Sequence, residues 1–294
     1  MNLPIKQHIV PQTYLRQFKT TSPKKQEKIW VCQKESKHIR EQRIAKTPVI
    51  NDFYTFIDEE NAGEKHYDAE LLFGKDIEPL FRKSVEPLEN NNMLSDYQKR
   101  EFSIFVSSQK LRTVSMKEKI STEIEQAFKY GVSGEWFDSN ALSIFKQEFL
   151  EGDKYITYEE FIEKSEGNFE EVSTEVNKNC FILFIPWKLI DFANEIASQN
   201  WSYLVAPKNN YFLTSDNPVI LEREINDPYF PIQGGVFPLT PKLALNINSN
   251  EEKFKKIGGK HMRKINEQII FHSDRFVYSH DEEFLKRIIR KVTS

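Results

Sequence analysis

The sequence predicts an α+β fold in which strands near both ends of the chain make a mixed sheet packed against a central helical region. Three observations predict it. Short β-type runs broken by Pro, Gly and Asn occupy the N-terminal part and return from about residue 201 to 280. Between about residues 67 and 200 the apolar positions recur at helical spacing instead. No repeat or Gly/Ser-rich linker divides the 294 residues, so a single domain, 1–294, with one sizeable core is expected.

The elements follow in order. "HIVPQTYLRQF" starts at His8 and is expected to turn helical from Pro11, with His8 in an extended lead-in, because Pro keeps its predecessor out of the α region. "TTSPKKQEK" reads as a polar turn before the strand "IWVCQ", and "KTPVINDFYTFID" as punctuation followed by an aromatic β-type run. "YDAELLFGKDIEPLFRKSVEPLE" places Leu71, Leu72, Ile77, Leu80 and Phe81 at helical spacing. The longest element is expected from Ser95, a good N-cap, to Gly131, a good C-cap, as one helix of more than thirty residues. Helical pattern resumes over 140–150 and 157–164, and again from Pro186 in "PWKLIDFANEIASQ". Beyond it come "WSYLVAP", "YFLTS", "PVILE", "GVFPLTP" and "LALNI" as short strands, with the glycine pairs at Gly234 and Gly258 as turns. "KINEQIIFHSDRFVYS" and "EEFLKRIIRKV" close with a helix, a strand and a last helix.

Composition narrows the function classes. A net charge of −3 with mixed acids and bases argues against broad adhesion to DNA or anionic membrane, while leaving room for a local basic groove. Cys32 and Cys180 match no zinc spacing and read as buried reduced thiols, which suits a cytoplasmic setting. The most apolar run, "CFILFIPWKLI", is too short to span a membrane, and no apolar signal core follows the N-terminus. The 23 Phe, 11 Tyr and 4 Trp are expected mainly in the core, since no stretch interleaves them with Lys or Arg as base stacking requires. P-loop, dinucleotide, HExxH and GxSxG signatures are absent from the sequence. His38, His66, His261, His272 and His280 share no metal-like spacing, which makes a zinc site improbable.

Four polar constellations carry chemistry, each with a bland alternative. His8 at the helix entry has the side chain for acid–base work near neutral pH, with Gln12 and Arg16 one turn apart beyond it; alternatively it caps the helix or bonds a buried carbonyl. Glu70 and Glu78 share a quadrant of an ideal helix two turns apart, a pair suited to Mg²⁺ with substrate phosphates, or else a solvated face. Gln109 and Arg112 lie on one face beside the apolar Phe102, Phe105 and Val106, where Arg112 is a phosphate clamp or half of a structural ion pair. "FLTSDNPVI" interrupts an apolar strand with Ser215, Asp216 and Asn217, a polar corner aimed by a rigid element or a plain Asx turn.

Taken in order, "HIVPQTYLRQF", "IWVCQ…FYTF", "AELLFGKDIEPL", "FVSSQKLRT", a Trp followed by "FLTSDNPV", and "FPLTP" resemble the bacterial family known as domain of unknown function 4238. Its members open on a His-x-x-Pro-Gln-like motif and carry a Ser-Asp-Asn-Pro motif, and the resemblance spans about Lys6 to Tyr278. It implies that His8, Pro11, Gln12, Glu70, Glu78, Gln109, Arg112, Ser215, Asp216, Asn217 and Pro218 matter, and that they converge on one pocket.

The expectation is a nuclease-like hydrolase acting on nucleic acid or another phosphate ester, in phage defence or as a toxin, with Mg²⁺ as the candidate cofactor. His8 is the general acid/base, Asp216 a second one or a metal ligand, and Glu70 or Glu78 the carboxylate partner. Arg112 neutralises phosphate charge, while Gln12, Gln109, Ser215 and Asn217 orient the substrate. The alternative is a non-catalytic module binding a nucleotide, a small anion or a partner protein. An enzyme requires His8 within hydrogen-bond reach of a second titratable group; a binder shows Arg112 and amides converging without one. A third alternative is a buried polar network that fixes helix against sheet.

Overall fold

The computed structural model describes residues 5–21, 27–58, 64–129, 181–182, 185, 188–223 and 232–292. The fold is α+β. Strand β1 (Lys6–His8) runs into helix α1 (Gln12–Leu15), which tightens into a 3₁₀ turn over Arg16–Phe18. Pro11 stands at the start of α1, as its fixed φ favours, and Tyr14, Leu15 and Phe18 are buried.

N- and C-terminal strands do share a sheet. β2 (Lys28–Gln33) and β3 (Ile39–Arg43) pair with β13 (Phe276–Ser279) and β8 (Thr214–Ser215) in the order β3-β2-β13-β8. Every pairing in that sheet is antiparallel. The mixed sheet is a different one and lies wholly in the C-terminal part. It comprises β7 (Trp201–Val205), β9 (Ile220–Arg223), β10 (Ile232–Thr240), β11 (Leu243–Ile247) and β12 (Phe254–Lys256), in the order β12-β7-β11-β10-β9. Only β12–β7 is parallel there. Two antiparallel two-stranded pairs complete the strands: β1 with the sequence-distant β4 (Val49–Asn51), and β5 (Phe56–Asp58) with β6 (Glu64–His66).

The helical middle opens with α2 (Asp68–Leu72), a π-helical turn over Phe73–Ile77, and α3 (Glu78–Glu89). The π turn is a correction to the ideal-helix reading of Glu70 and Glu78, because a wider turn resets the angle between residues on either side of it. A second correction concerns the long helix after Ser95. Its start is as expected, with Ser95 and Gln98 closing a capping box. It then breaks at Arg112–Thr113 into α4 (Asp96–Leu111) and α5 (Val114–Lys129). Thr113 Oγ1 accepts from Met116 N and so starts α5 afresh, while the Arg112 carbonyl accepts from the Tyr54 hydroxyl. Gly131 and the helical stretches expected over 140–150 and 157–164 lie outside the described residues. A further helix, α6, covers 188–198, and the described residues 181, 182 and 185 are helical ahead of the start expected at Pro186, which lies outside the described residues.

The glycine pairs are not turns. Gly234 and Gly235 lie inside β10 beside a register shift, and a Cβ on Gly235 would stand 2.5 Å from the Ile220 carbonyl oxygen. Only glycine lets β9 approach that closely. Gly258 precedes α7 (Gly259–His272), and α8 (Glu282–Val292) ends the chain's described part.

One apolar cluster gathers Tyr14, Phe81, Phe102, Phe105, Trp201 and Phe237; Tyr14 stacks on Phe237 at 5.1 Å, and its hydroxyl bonds Thr214 and the Pro238 carbonyl. A second cluster seats Ile265 and Ile269 of α7 with Leu285 and Ile288 of α8 against Val277 and Leu213. Cys32 is buried as expected, which raises its pKa; Cys180 lies outside the described residues. No described helix is long and apolar enough to cross a membrane.

Candidate functional site: a buried arginine and two unpartnered acid–base atoms

Arg112 is wholly buried at the C-terminal end of α4, and everything around it is arranged to keep its charge there. Its Nη2 donates to the His8 carbonyl oxygen, its Nε to the Tyr54 hydroxyl at 3.2 Å, and its Nη1 to Glu78 Oε1 at 3.4 Å. The guanidinium lies 4.3 Å from the centre of the Phe73 ring and 5.3 Å from that of Tyr54. Burial opposes its charge, but Tyr54, Glu78 and Glu70 more than offset that and hold its pKa above the ordinary value. Arg112 is thus the partner of Glu78, and its donors face protein rather than solvent.

His8 contributes more than its carbonyl. The imidazole bonds the Ala45 backbone, while its Nε2 is buried with no hydrogen-bond partner. Burial lowers its pKa, and Arg112 and Arg16 push the same way, so the ring is neutral at pH 7. The bond to a backbone carbonyl selects the tautomer in which Nδ1 carries the proton and Nε2 presents a lone pair. The carbonyl that His8 bonds belongs to the exposed Ala45 rather than to a buried residue, and the hydrogen bond to a second titratable group required of an enzyme is absent, since Nε2 has no partner.

Glu70 is the counterpart. Its Oε2 is buried and unpartnered, and burial raises its pKa to about 7, with Arg112 opposing and Glu78 assisting the rise. Glu70 is therefore protonated well above the pH at which an ordinary carboxylate ionises. His8 and Glu70 both lie in the electrostatic reach of one guanidinium.

The remaining expected residues fall elsewhere. Gln12 is half-buried and accepts from Arg16 Nη2 at 3.5 Å, as their one-turn spacing predicts. Gln109 is buried; its Nε2 bonds Ser108 Oγ at 3.3 Å and its Oε1 has no partner. Asp216 is wholly buried at the strand corner and accepts three backbone N–H groups, from Asp274 at 2.9 Å, Arg275 at 2.8 Å and Phe276 at 3.0 Å. Burial and the neighbouring Asp274 raise its pKa to about 7 against those three amides. Asn217 Nδ2 donates to Ser115 Oγ and Asp274 Oδ1, its Oδ1 accepts from Lys110, and its backbone N–H donates to Ser215 Oγ. Asp274 Oδ2 also accepts from Ser115 N at 3.0 Å.

Two polar groups result rather than one pocket: His8, Glu70, Glu78 and Arg112 in one, and Ser215, Asp216 and Asn217 in the other. The break between α4 and α5 joins them, since Arg112 serves the first and Lys110 and Ser115 serve the second. Tyr54, Phe73, Ala45, Ser115 and Asp274 were not anticipated from sequence. "DFYTF" reads as an ordinary aromatic strand run, and nothing local marks Tyr54 as the arginine's partner. Among the described residues, no group of three or more His, Cys, Asp or Glu side chains is placed to hold a metal. Mg²⁺ between Glu70 and Glu78 suits the site poorly, because the Arg112 charge acts on both carboxylates.

Beside Glu78 lies a surface groove of about 460 Å³ lined by Thr13, Gly74, Glu78, Pro79, Arg82, Lys83 and Glu86.

Fold and site together define an α+β protein with a buried arginine flanked by the side chains of His8 and Glu70. The chain belongs to the family described as "Protein of unknown function (DUF4238)", whose profile matches residues 6–283. Comparison with curated proteins and with solved structures returned no match.

Proposed function

We propose that this chain is a hydrolase of phosphate esters, acting on nucleic acid, and that His8 and Glu70 are its acid–base pair. One observation carries the reading: His8 Nε2 and Glu70 Oε2 are both buried, both unpartnered and both in the shell of Arg112. Titratable groups shifted in opposite directions by their surroundings, Glu70 upward and His8 downward, are candidates for general acid–base chemistry. His8 takes a proton from the attacking water as its oxygen bonds to phosphorus. Glu70 gives its proton to the leaving oxygen as the old P–O bond breaks. Arg112, closed off from solvent, positions His8 through its carbonyl and supplies a fixed positive field for the charge that develops. Destroying nucleic acid inside a cell is the work of a toxin or a phage-defence factor, so growth arrest on expression is a second readout.

One observation favours a binding module instead. The imidazole of His8 is oriented by a backbone carbonyl and not by a second titratable side chain. In that reading the same shell holds an anionic ligand without turnover.

The test is hydrolysis of single- and double-stranded DNA, RNA and a small phosphodiester by purified protein, with and without added Mg²⁺. Removing a positioned acid or base costs about 10²–10⁴ in rate, so His8→Asn and Glu70→Gln should each lose that much while remaining folded. Absence of turnover by the wild type on every substrate overturns the hydrolase; tight binding of a substrate without turnover then establishes the module.

A further inference from the structure

The groove beside Glu78 has no part in the acid–base pair, and its lining carries two cations, Arg82 and Lys83. The π turn opens it: Gly74, within that turn, has nothing within 4 Å of where a Cβ would lie. Thr13 lines it, and the Thr13 hydroxyl oxygen is buried without a hydrogen-bond partner. Arg82 and Lys83 line it as well, and neither makes an ion pair or hydrogen bond among the described residues. Of its two carboxylates, Glu78 is matched by Arg112, which leaves two cations against Glu86. That local balance is positive on a chain whose net charge is −3.

We propose that this groove seats a phosphate group of the substrate next to the one that reacts, so that the substrate is a single nucleic-acid strand rather than a lone phosphate monoester. The inference rests on the hydrolase reading and deepens it. A volume of about 460 Å³ falls in the roughly 300–1,000 Å³ range of small-ligand clefts, enough for one nucleotide unit. Two cations suit one or two phosphates of a strand, whereas a duplex footprint requires a longer basic track. Glu86, which also lines the groove, can accept from a sugar or base N–H or O–H.

Binding is separable from catalysis. The probe is a short fluorescein-labelled single-stranded DNA titrated into the Glu70→Gln protein and read by anisotropy, which requires no turnover. Arg82→Ala with Lys83→Ala should weaken binding about tenfold at low salt. The slope of log affinity against log salt should fall by about 1.4, which is roughly 0.7 for each lost phosphate contact. Gly74→Trp should weaken binding similarly by filling the groove, and the open space around Gly74 lets the fold accept it. Unchanged affinity and slope in the double variant overturn the groove, and so does a Gly74→Trp protein that binds normally. Hydrolysis of oligonucleotides with groove variants that bind normally removes the groove and leaves the hydrolase. Groove-dependent binding without hydrolysis by the wild type removes the hydrolase and leaves the groove.

Discussion

Tyr54 and Arg112 close a two-bond ring: the phenolic oxygen accepts from Arg112 Nε at 3.2 Å and donates to the Arg112 carbonyl at 2.9 Å. The tyrosine therefore ties down the side chain that orders the site and the backbone at which the helix breaks. Both residues are fully buried, so water cannot replace either bond. Tyr54→Phe removes both without changing shape. Each of the two buried groups left unmet costs about 1–3 kcal/mol, which urea denaturation should register as a lower midpoint at unchanged slope.

Arg112→Met should cost more, about 3–5 kcal/mol, since it abandons Glu78 as a half of a mostly buried pair. It also removes the positive charge that restrains Glu70, so the Glu70 pKa should rise above about 7. A ¹³C-carboxyl NMR titration of the folded variant measures that shift. A Glu70 pKa that stays put would place Arg112 outside its shell. Arg112→Lys should not rescue, because an ammonium cannot reach a carbonyl, a hydroxyl and a carboxylate in one plane.

Stability should fall as pH rises from the ordinary carboxylate range to about 7. Glu70 and Asp216 are both raised to about 7 by burial, so between those limits the folded chain binds more protons than the unfolded one. Their favourable protonated state is fully present below the unfolded pKa and is lost on passing about 7. His8, whose pKa is lowered, acts in the opposite sense below its ordinary value of 6.5. Comparison with Glu70→Gln isolates the first effect: the variant should gain stability relative to wild type as pH climbs from the ordinary carboxylate value of 4.5 to about 7, and hold that gain above it. Parallel stability–pH curves for the two proteins would contradict the burial of Glu70.

Asp216→Ala should unfold the C-terminal corner rather than disable chemistry. It strands three backbone N–H groups at residues 274–276, each worth about 1–3 kcal/mol when buried and unmet. Circular dichroism and a thermal melt should show a destabilised protein, and any loss of function in it is then a folding effect. A variant with wild-type melting would return Asp216 to the list of candidate catalytic groups.

Much of this was legible locally. Ser95 with Gln98 three residues on announces a helix start, and Pro11 announces another. The apolar alternation in "IWVCQ" and "FVYS" marks strands that prove to be neighbours through Val31–Tyr278 and Cys32–Val277. The break at Arg112 was not legible, because no Gly or Pro stands there and the apolar stripe continues past it. Tertiary partners impose it: Tyr54 on the Arg112 carbonyl, and Asp274 with Asn217 on Ser115. Arg112 itself was readable as a clamp or an ion pair, and sequence offers no means of seeing that a guanidinium next to Leu111 and Thr113 is sealed from solvent. The division of the polar motifs into two groups follows from the same break, which turns Arg112 toward His8 while Lys110 and Ser115 address Asn217.

The central claim is that His8 and Glu70 work as base and acid, and the pH dependence of kcat/KM for phosphodiester hydrolysis tests it most directly. The rate should fall at acid pH as His8 gains a proton, with a midpoint below 6.5, and at alkaline pH as Glu70 loses one, with a midpoint of about 7. Glu70→Gln should abolish the alkaline limb along with most of the rate. A profile that is flat across this window, or one whose alkaline limb survives in Glu70→Gln, would contradict the account.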